Sequence, residues 1–237
     1  IGTRLIDEVL RAQLEQKGRY PDKIAFSLNS FSSYRDYGVI ESQIFYLLGV
    51  RPIWDAKRLV EDVEVIPASE LGRPRIDVFL SARSYYRDQL PTRMHLIDKA
   101  IRMIADLDEP DNRVREDSRR VETELVQRGL DPARARLLSR ARMFGSPPGQ
   151  NGSAWYYYLA EKTGEWNDRA DLMRTYLEQS QYVYTEDAWG ENAPEAYERN
   201  IQGAEMVIRS WADTVSSPLA NKYTWYIDGS LAQAIKH

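Results

Sequence analysis

Apolar residues at Leu5, Ile6, Val9, Leu10 and Leu14 recur at the spacing of one helix face, and Gly18 stands where such a helix stops. "GRYPDK" then reads as a turn, and "IAFSL" (Ile24 to Leu28) as a short apolar strand. The polar and aromatic run "NSFSSYRDYG" follows, before "VIESQIFYLLG" returns to helical spacing and closes on Gly49 as a C-cap glycine. "VRPIWD", "VEDVEVIP" and "RIDVFLSA" (Arg75 to Ala82) read as further strands. The last is nearly continuous in β-formers, as in a sheet covered on both faces. Pro91 opens a helix carrying Met94, Ile97, Ile101, Ile104 and Leu107, which closes at "DEPDN".

Beyond Pro110 the pattern changes. "NRVREDSRRVETELVQRGL" and "DPARARLLSRARMF" read as two polar-faced helices, followed by the loop "RMFGSPPGQNGSAW". A helix from about Asp168 to Glu178, the connector "YVYTEDAWGENAP", a long helix through Ile208 and a short one near Leu231 to Ile235 complete the chain. No further strand is predicted. The fold class is therefore α/β: a largely parallel sheet flanked by helices over 1–110, then a mainly helical region over 111–237 that packs on the sheet as one unit. There is no internal repeat and no low-complexity linker.

Strand, loop and helix in succession place Asn29 to Gly38 at the carboxyl end of a strand, where open α/β sheets bind ligands. "ARSYYRDQLP", with two arginines and two tyrosines beyond a buried strand, is a second loop of this kind. A plain connection explains both loops as well.

Composition narrows the chemistry. The 237 residues include no Cys, which excludes disulfides, thiolate-held iron–sulfur clusters, Cys zinc sites and a Cys nucleophile. Of the two histidines, His95 sits in a periodic helix where an ordinary polar contact is expected, and His237 ends the chain, so no His-rich metal site forms within it. The net charge of -4 argues against broad attraction to nucleic acid or an anionic membrane. No apolar run is long enough to span a bilayer, and the start shows no signal peptide, so a cytoplasmic location is expected. Without an initiator Met, an excised fragment or processed chain is the expectation. The 15 Tyr and 6 Trp crowd the second half, where they suit a flat aromatic ligand, an interface or a core alike.

Counting six positions from Gly145 gives Gln150 with no Lys after it, so "GSPPGQNGS" is not a Walker cradle. No strand is predicted before it, so it is not a dinucleotide fingerprint either. "NGS" at Asn151 to Ser153 matches a glycosylation acceptor only formally. Adjacent prolines stiffen this loop while its glycines permit close backbone approach, which fits a ligand contact and a rigid connector equally. Three carboxylate groups lie in loops with aromatics: Glu165 and Asp168, Glu186 and Asp187, and Asp228 in "YTWYIDGS". A carboxylate buried beside rings can act as a base with a raised pKa.

Seven blocks carry a resemblance: "GRYPDKIAF", "LLGVRPIWDA", "VEVIPASELGRPRIDV", "YYRDQLP", "LIDKAIRMIADLDEP", "ARMFGSPPGQNGS" and "WNDRADLMRTYL". In order and spacing they resemble the large subunits of tetrapyrrole metal chelatases, the cobalt-inserting subunit of the aerobic cobalamin pathway and the H subunit of magnesium chelatase. The cobalt type is the nearer likeness. The resemblance implies an internal piece of a long subunit that binds a corrinoid or porphyrin and inserts a divalent metal. It works with an AAA+ ATPase subunit that uses ATP-Mg and with a coupling subunit. No cofactor is expected to bind tightly in this chain, and cobalt or magnesium is the metal inserted.

The family's His-rich segment is absent from this chain. Where cobalt-type members carry a "DTxRTGG"-like loop, this chain has "NSFSSYRDYG", with Arg35 and Gly38 in common. Asp228 stands near the place of a histidine in a "YYQFHGG"-like run. The resemblance implies Arg35, Arg83, Tyr85, Arg87, Arg142, Gly145 and Gly149 as tetrapyrrole-binding positions. Asp228 and Glu186 become candidates for proton transfer, with Asp228 also a candidate metal ligand.

Overall fold

The computed structural model describes residues 1–150, 169–210 and 229–236. The chain runs α1 (Gly2–Lys17), β1 (Lys23–Leu28), α2 (Ser30–Arg35), α3 (Val39–Leu48), β2 (Val50–Trp54), β3 (Val60–Val65), α4 (Ala68–Leu71) and β4 (Asp77–Ala82). It continues with α5 (Ser84–Gln89), α6 (Pro91–Asp106), α7 (Arg113–Gln127), α8 (Pro132–Ser139), β5 (Met143–Gly145) and α9 (Arg169–Glu178). The last elements are β6 (Tyr182–Tyr184), β7 (Trp189–Asn192), α10 (Pro194–Ile201), β8 (Ala204–Arg209) and α11 (Gly229–Lys236).

Six strands form one sheet in the order β7-β6-β5-β4-β1-β8. β5, β4, β1 and β8 are mutually parallel, while β6 and β7 add antiparallel strands at one side. Side chains alternate between the two faces, as the period of a strand requires. Ile24, Phe26, Leu28, Val78, Leu80 and Ala82 pack with α1, α3 and α6, whereas Ala25 and Phe79 face α7, α8, α9, α10 and α11. All six residues of β1 are buried. The expected α/β class with a mostly parallel sheet between helices is thus observed.

Three expectations are corrected. Four strands, β5 to β8, arise beyond residue 110, where only helices are predicted. β5, β6 and β7 are three or four residues long, too short to display a period of two. The long helix through Ile208 stops at Ile201, because Gly203 turns left-handed at φ 82 and the chain leaves as β8. Likewise β2 and β3 do not join the main sheet but pair with each other as an antiparallel ribbon.

Two of the motif blocks hold one another. The buried Arg75 guanidinium donates to the carbonyls of Leu48 (3.0 Å), Gly49 (2.7 Å) and Ile66 (2.6 Å) and pairs with Glu109. Gly49 ends α3 at φ 73, and a Cβ there would lie 2.3 Å from the Arg75 guanidinium. Arg73 lies over the Tyr46 ring at 4.3 Å. "LLGVRP" and "GRPRIDV" are accordingly complementary parts of one packing unit.

The amino ends of β1, β4 and β5 carry Lys23, Asp77 and, just before β5, Arg142. Arg142 Nε donates to Asp77 Oδ1 (2.8 Å), and Lys23 Nζ lies 3.2 Å from Asp77 Oδ2. Asp117 of α7 accepts from Lys23 (2.7 Å) and Arg142 (3.3 Å). Asn200 accepts from Arg142 and donates to the carbonyls of Leu138 and Ala196. Burial pushes the Asp77 pKa up despite Arg142 and Lys23, whereas at Asp117 the same cations outweigh burial and hold the pKa down at about 2.

The depressed Asp117 pKa stabilises the fold above the usual carboxylate range, and that contribution is lost as pH falls from about 4 toward 2. Asp77, whose pKa is raised, acts in the opposite sense and blunts the loss. Replacing Asp117 with Asn leaves Lys23 and Arg142 sharing one buried carboxylate. It is expected to cost about 3–5 kcal/mol at pH 7 and to flatten the acid limb. Urea unfolding followed from pH 7 to pH 2 measures both effects.

Candidate functional site

The parallel strands all end at one edge, and there Phe31, Tyr34, Tyr37 and Tyr85 are exposed. Past Leu28, Asn29 caps α2 by accepting from the Phe31 amide (2.9 Å). The next turn is closed by Asp36, whose Oδ1 accepts from the Gly38 and Val39 amides, each at 3.0 Å. Asp36 Oδ2 is also hydrogen-bonded to the Ser210 hydroxyl, and Ser32 Oγ donates to the Ser210 carbonyl at 3.2 Å. The loop after β1 is thereby fastened to the exit of β8.

Phe31, Tyr34 and Arg35 fall at i, i+3 and i+4 on α2, so they share one face. All three are exposed. After β4, α5 brings Tyr85 against Phe31, with ring centroids 5.8 Å apart at 60°. Behind this row Tyr86 is fully buried and donates to Glu41 Oε1 (2.9 Å), which also accepts from Arg93 (3.0 Å). Burial first, and then the Glu41 charge, pushes the Tyr86 pKa well above its ordinary value, so this hydroxyl stays a donor.

Of the positions expected to bind a ligand, Arg35, Arg83, Tyr85, Arg87, Gly145 and Gly149 lie along this edge. Arg35 and Tyr85 reach its surface. Arg83 is half-buried at the exit of β4, close enough to Tyr176 to draw its pKa down against the rise that burial causes. Arg87 faces inward. Its Nη1 donates to the carbonyls of Ser146 (2.8 Å) and Pro147 (2.9 Å) and to the Tyr184 hydroxyl (3.2 Å), while Nε and Nη2 fork onto Asp88. It clamps the proline loop in place of offering a free guanidinium.

That loop is preceded by a strand, β5, which the sequence pattern does not predict. The close approach its glycines permit is to the protein itself. A Cβ on Gly145 would lie 2.2 Å from the Ala82 carbonyl oxygen of β4. Pro148 rests on Gly190 of β7, where an added Cβ would come within 2.2 Å of the proline ring. Gly149 is left-handed at φ 73 with open space around it.

Arg142 and Glu186 lie elsewhere. Arg142 belongs to the buried cluster at the opposite end of the strands, next to a polar cleft of about 280 Å³ lined by Lys23, Asp77, Asp117 and Arg120, whose charges are paired with one another. β6 runs antiparallel, so Glu186, just past it, also lies toward the amino ends of the parallel strands. There it is exposed and pairs with Arg102, and its amide donates to the buried Asp98 (3.1 Å). Burial raises the Asp98 pKa. His95, expected to make a polar contact, stacks on Trp189 at 4.9 Å. Asp228, Glu165, Asp168 and Asn151 to Ser153 lie outside the described residues.

Sequence reasoning passed over Phe31, Tyr34 and Tyr37 individually, and Glu41 altogether. The aromatic content of "NSFSSYRDYG" was the available signal for the first three. Nothing marks Glu41 among the carboxylates of helix faces. Among the described residues, no group of three or more His, Asp or Glu is placed to hold a metal, and no helix is long and apolar enough to cross a membrane.

A family model described as CobN/Magnesium Chelatase matches residues 1–237. The chain is 30% identical over 240 residues to the aerobic cobaltochelatase subunit CobN of a Sinorhizobium species, covering 99% of this chain and 18% of that protein. It is 33% identical over 189 residues to the chloroplastic magnesium-chelatase subunit ChlH of Oryza sativa subsp. japonica, covering 78% of this chain and 13% of that one. Among solved structures it is similar to the catalytic subunit of cobaltochelatase from Mycobacterium tuberculosis. That match has a TM-score of 0.87 and 31% identity, over 100% of this chain and 20% of the other. The chain thus spans no more than about a fifth of the length of these relatives.

Arg87→Ala is expected to destabilise the fold by about 2–4 kcal/mol, since it strands buried carbonyls. It should also speed hydrogen exchange at the Gln150 amide, which donates to Pro147 across the clamped loop. Lys at position 87 cannot span the same acceptors and should not rescue it. An unchanged exchange rate in Arg87→Ala would refute the clamp.

Proposed function

Because the chain belongs to the CobN/magnesium chelatase family, we propose that it forms a domain of the large subunit of a metal chelatase. That subunit binds a corrinoid or porphyrin and inserts cobalt or magnesium, using ATP hydrolysed on an AAA+ partner and transmitted by a coupling subunit. The observation that carries this reading is the carboxyl edge of the sheet, where Phe31, Tyr34 and Tyr85 are exposed beside Arg35. A macrocycle is flat and apolar over its faces and anionic at its acid edges. Rings suit the first property and a guanidinium the second.

Metal insertion breaks two pyrrolic N–H bonds as the metal–nitrogen bonds form, so bases must take up two protons. Asp228 is the proposed acceptor and metal escort in this chain. Glu186, spent on Arg102 at the far end of the sheet, supports this assignment less well. The proline loop is positional: held by Arg87, it limits how far a ligand extends along the edge.

A second reading, a scaffold domain of the same assembly, is favoured by the inward placement of Arg87 and Arg142. Absorbance titration of the full-length polypeptide with a metal-free corrinoid and a metal-free porphyrin separates the two. The binding reading expects a saturable spectral shift, weakened about three- to tenfold by Arg35→Ala or Tyr85→Ala. If no shift appears at high micromolar concentration, the binding reading falls and the scaffold stands.

A further inference from the structure

Helices in this protein end on glycine wherever the closing residue is left-handed at α1, α3, α4 and α7. Gly18, Gly49, Gly72 and Gly129 take φ of 70°, 73°, 66° and 94°. The end of α2 departs from this habit. Its closing bonds run from the Asp36 amide to the Ser32 carbonyl (2.9 Å) and from the Gly38 amide back to the Ser33 carbonyl (3.1 Å). That is the pattern in which the residue after the cap is left-handed and usually glycine. Here it is Tyr37, at φ 58.

An L side chain in this conformation sets its Cβ against the following carbonyl, and glycine would avoid the clash. Packing does not repay the tyrosine, because Tyr37 is 94% exposed. Nor is the turn loose. Asp36 holds the next two amides, and both Asp36 and Ser32 are tied to Ser210 beyond β8. The result is an aromatic ring carried outward on a fixed backbone, in the same loop as Tyr34 and Phe31. Strain that persists on the surface, at the edge where ligands bind, marks function better than packing does.

We propose that Tyr37 is a further ligand-facing ring of this edge and stacks on the flat face of the metal-free tetrapyrrole. The inference rests on the chelatase reading above. A planar conjugated ligand gains most from a ring whose backbone is ordered before it arrives, since little freedom is lost on contact. Arg35, two residues earlier, stands ready for an acid group at the ligand's margin.

The test compares wild type, Tyr37→Gly and Tyr37→Phe in the full-length polypeptide, by fluorescence titration with a metal-free porphyrin and by thermal unfolding. Tyr37→Gly is expected to weaken binding about fivefold or more without lowering the unfolding midpoint, while Tyr37→Phe keeps the ring and binds within about twofold of wild type. Equal affinity in Tyr37→Gly overturns the role of Tyr37 and leaves the chelatase reading intact. A lowered midpoint shows that the ring packs, and loss of partner-subunit docking with unchanged porphyrin affinity assigns it to a protein contact. Either result also overturns the proposal. Failure of the wild type to bind overturns the chelatase binding reading and the inference with it.

Discussion

Three neighbouring parallel strands begin at one buried knot of charge, and the rest of the architecture depends on it. Lys23, Asp77 and Arg142 are nearly inaccessible to solvent, so each is tolerable only beside the others and Asp117. A strand slipped by one residue would turn its apolar set to the wrong face and also leave a buried charge unpaired. The knot therefore locks β1, β4 and β5 in register. It also anchors α7 through Asp117 and α10 through Asn200, so the helices that cover one face of the sheet are tied to its amino end.

Locking the amino ends leaves the carboxyl ends free to differ, and they do. β5 is only three residues long, with Arg142 just before it and the Arg87-bound loop just after it. The motif "RMFGSPPG" is thus a short strand gripped by arginines at both ends. It contributes position to the edge, beside the loops after β1 and β4. Glu41, bound by Tyr86 and Arg93, supports those loops from below.

Much of this was legible in the chain. The largely apolar runs Ile24 to Leu28 and Val78 to Ala82 mark the central strands because those strands are buried on both faces. Their exits are then legible as the loops along the carboxyl edge of the sheet. The strands β5 to β8 were not, since three or four residues carry no measurable period and β8 follows a helix with only Gln202 and Gly203 between. Arginine roles were also illegible: Arg35, Arg87 and Arg142 look alike in sequence, and only burial separates a surface guanidinium from a clamp and a core ion. Family blocks can mark packing, as the Gly49–Arg75 fit shows.

The first strand is completed by the last. β1 takes β8 as its neighbour, and Lys23 reaches the Asn200 carbonyl across 177 positions of chain. During synthesis, every residue up to Arg209 must emerge before β1 loses its open edge. Until then a strand whose six residues are all buried in the fold, Lys23 among them, waits without its last neighbour. Contacts so distant in sequence make folding slow, and the waiting edge is the natural place for mispairing or for a chaperone to intervene.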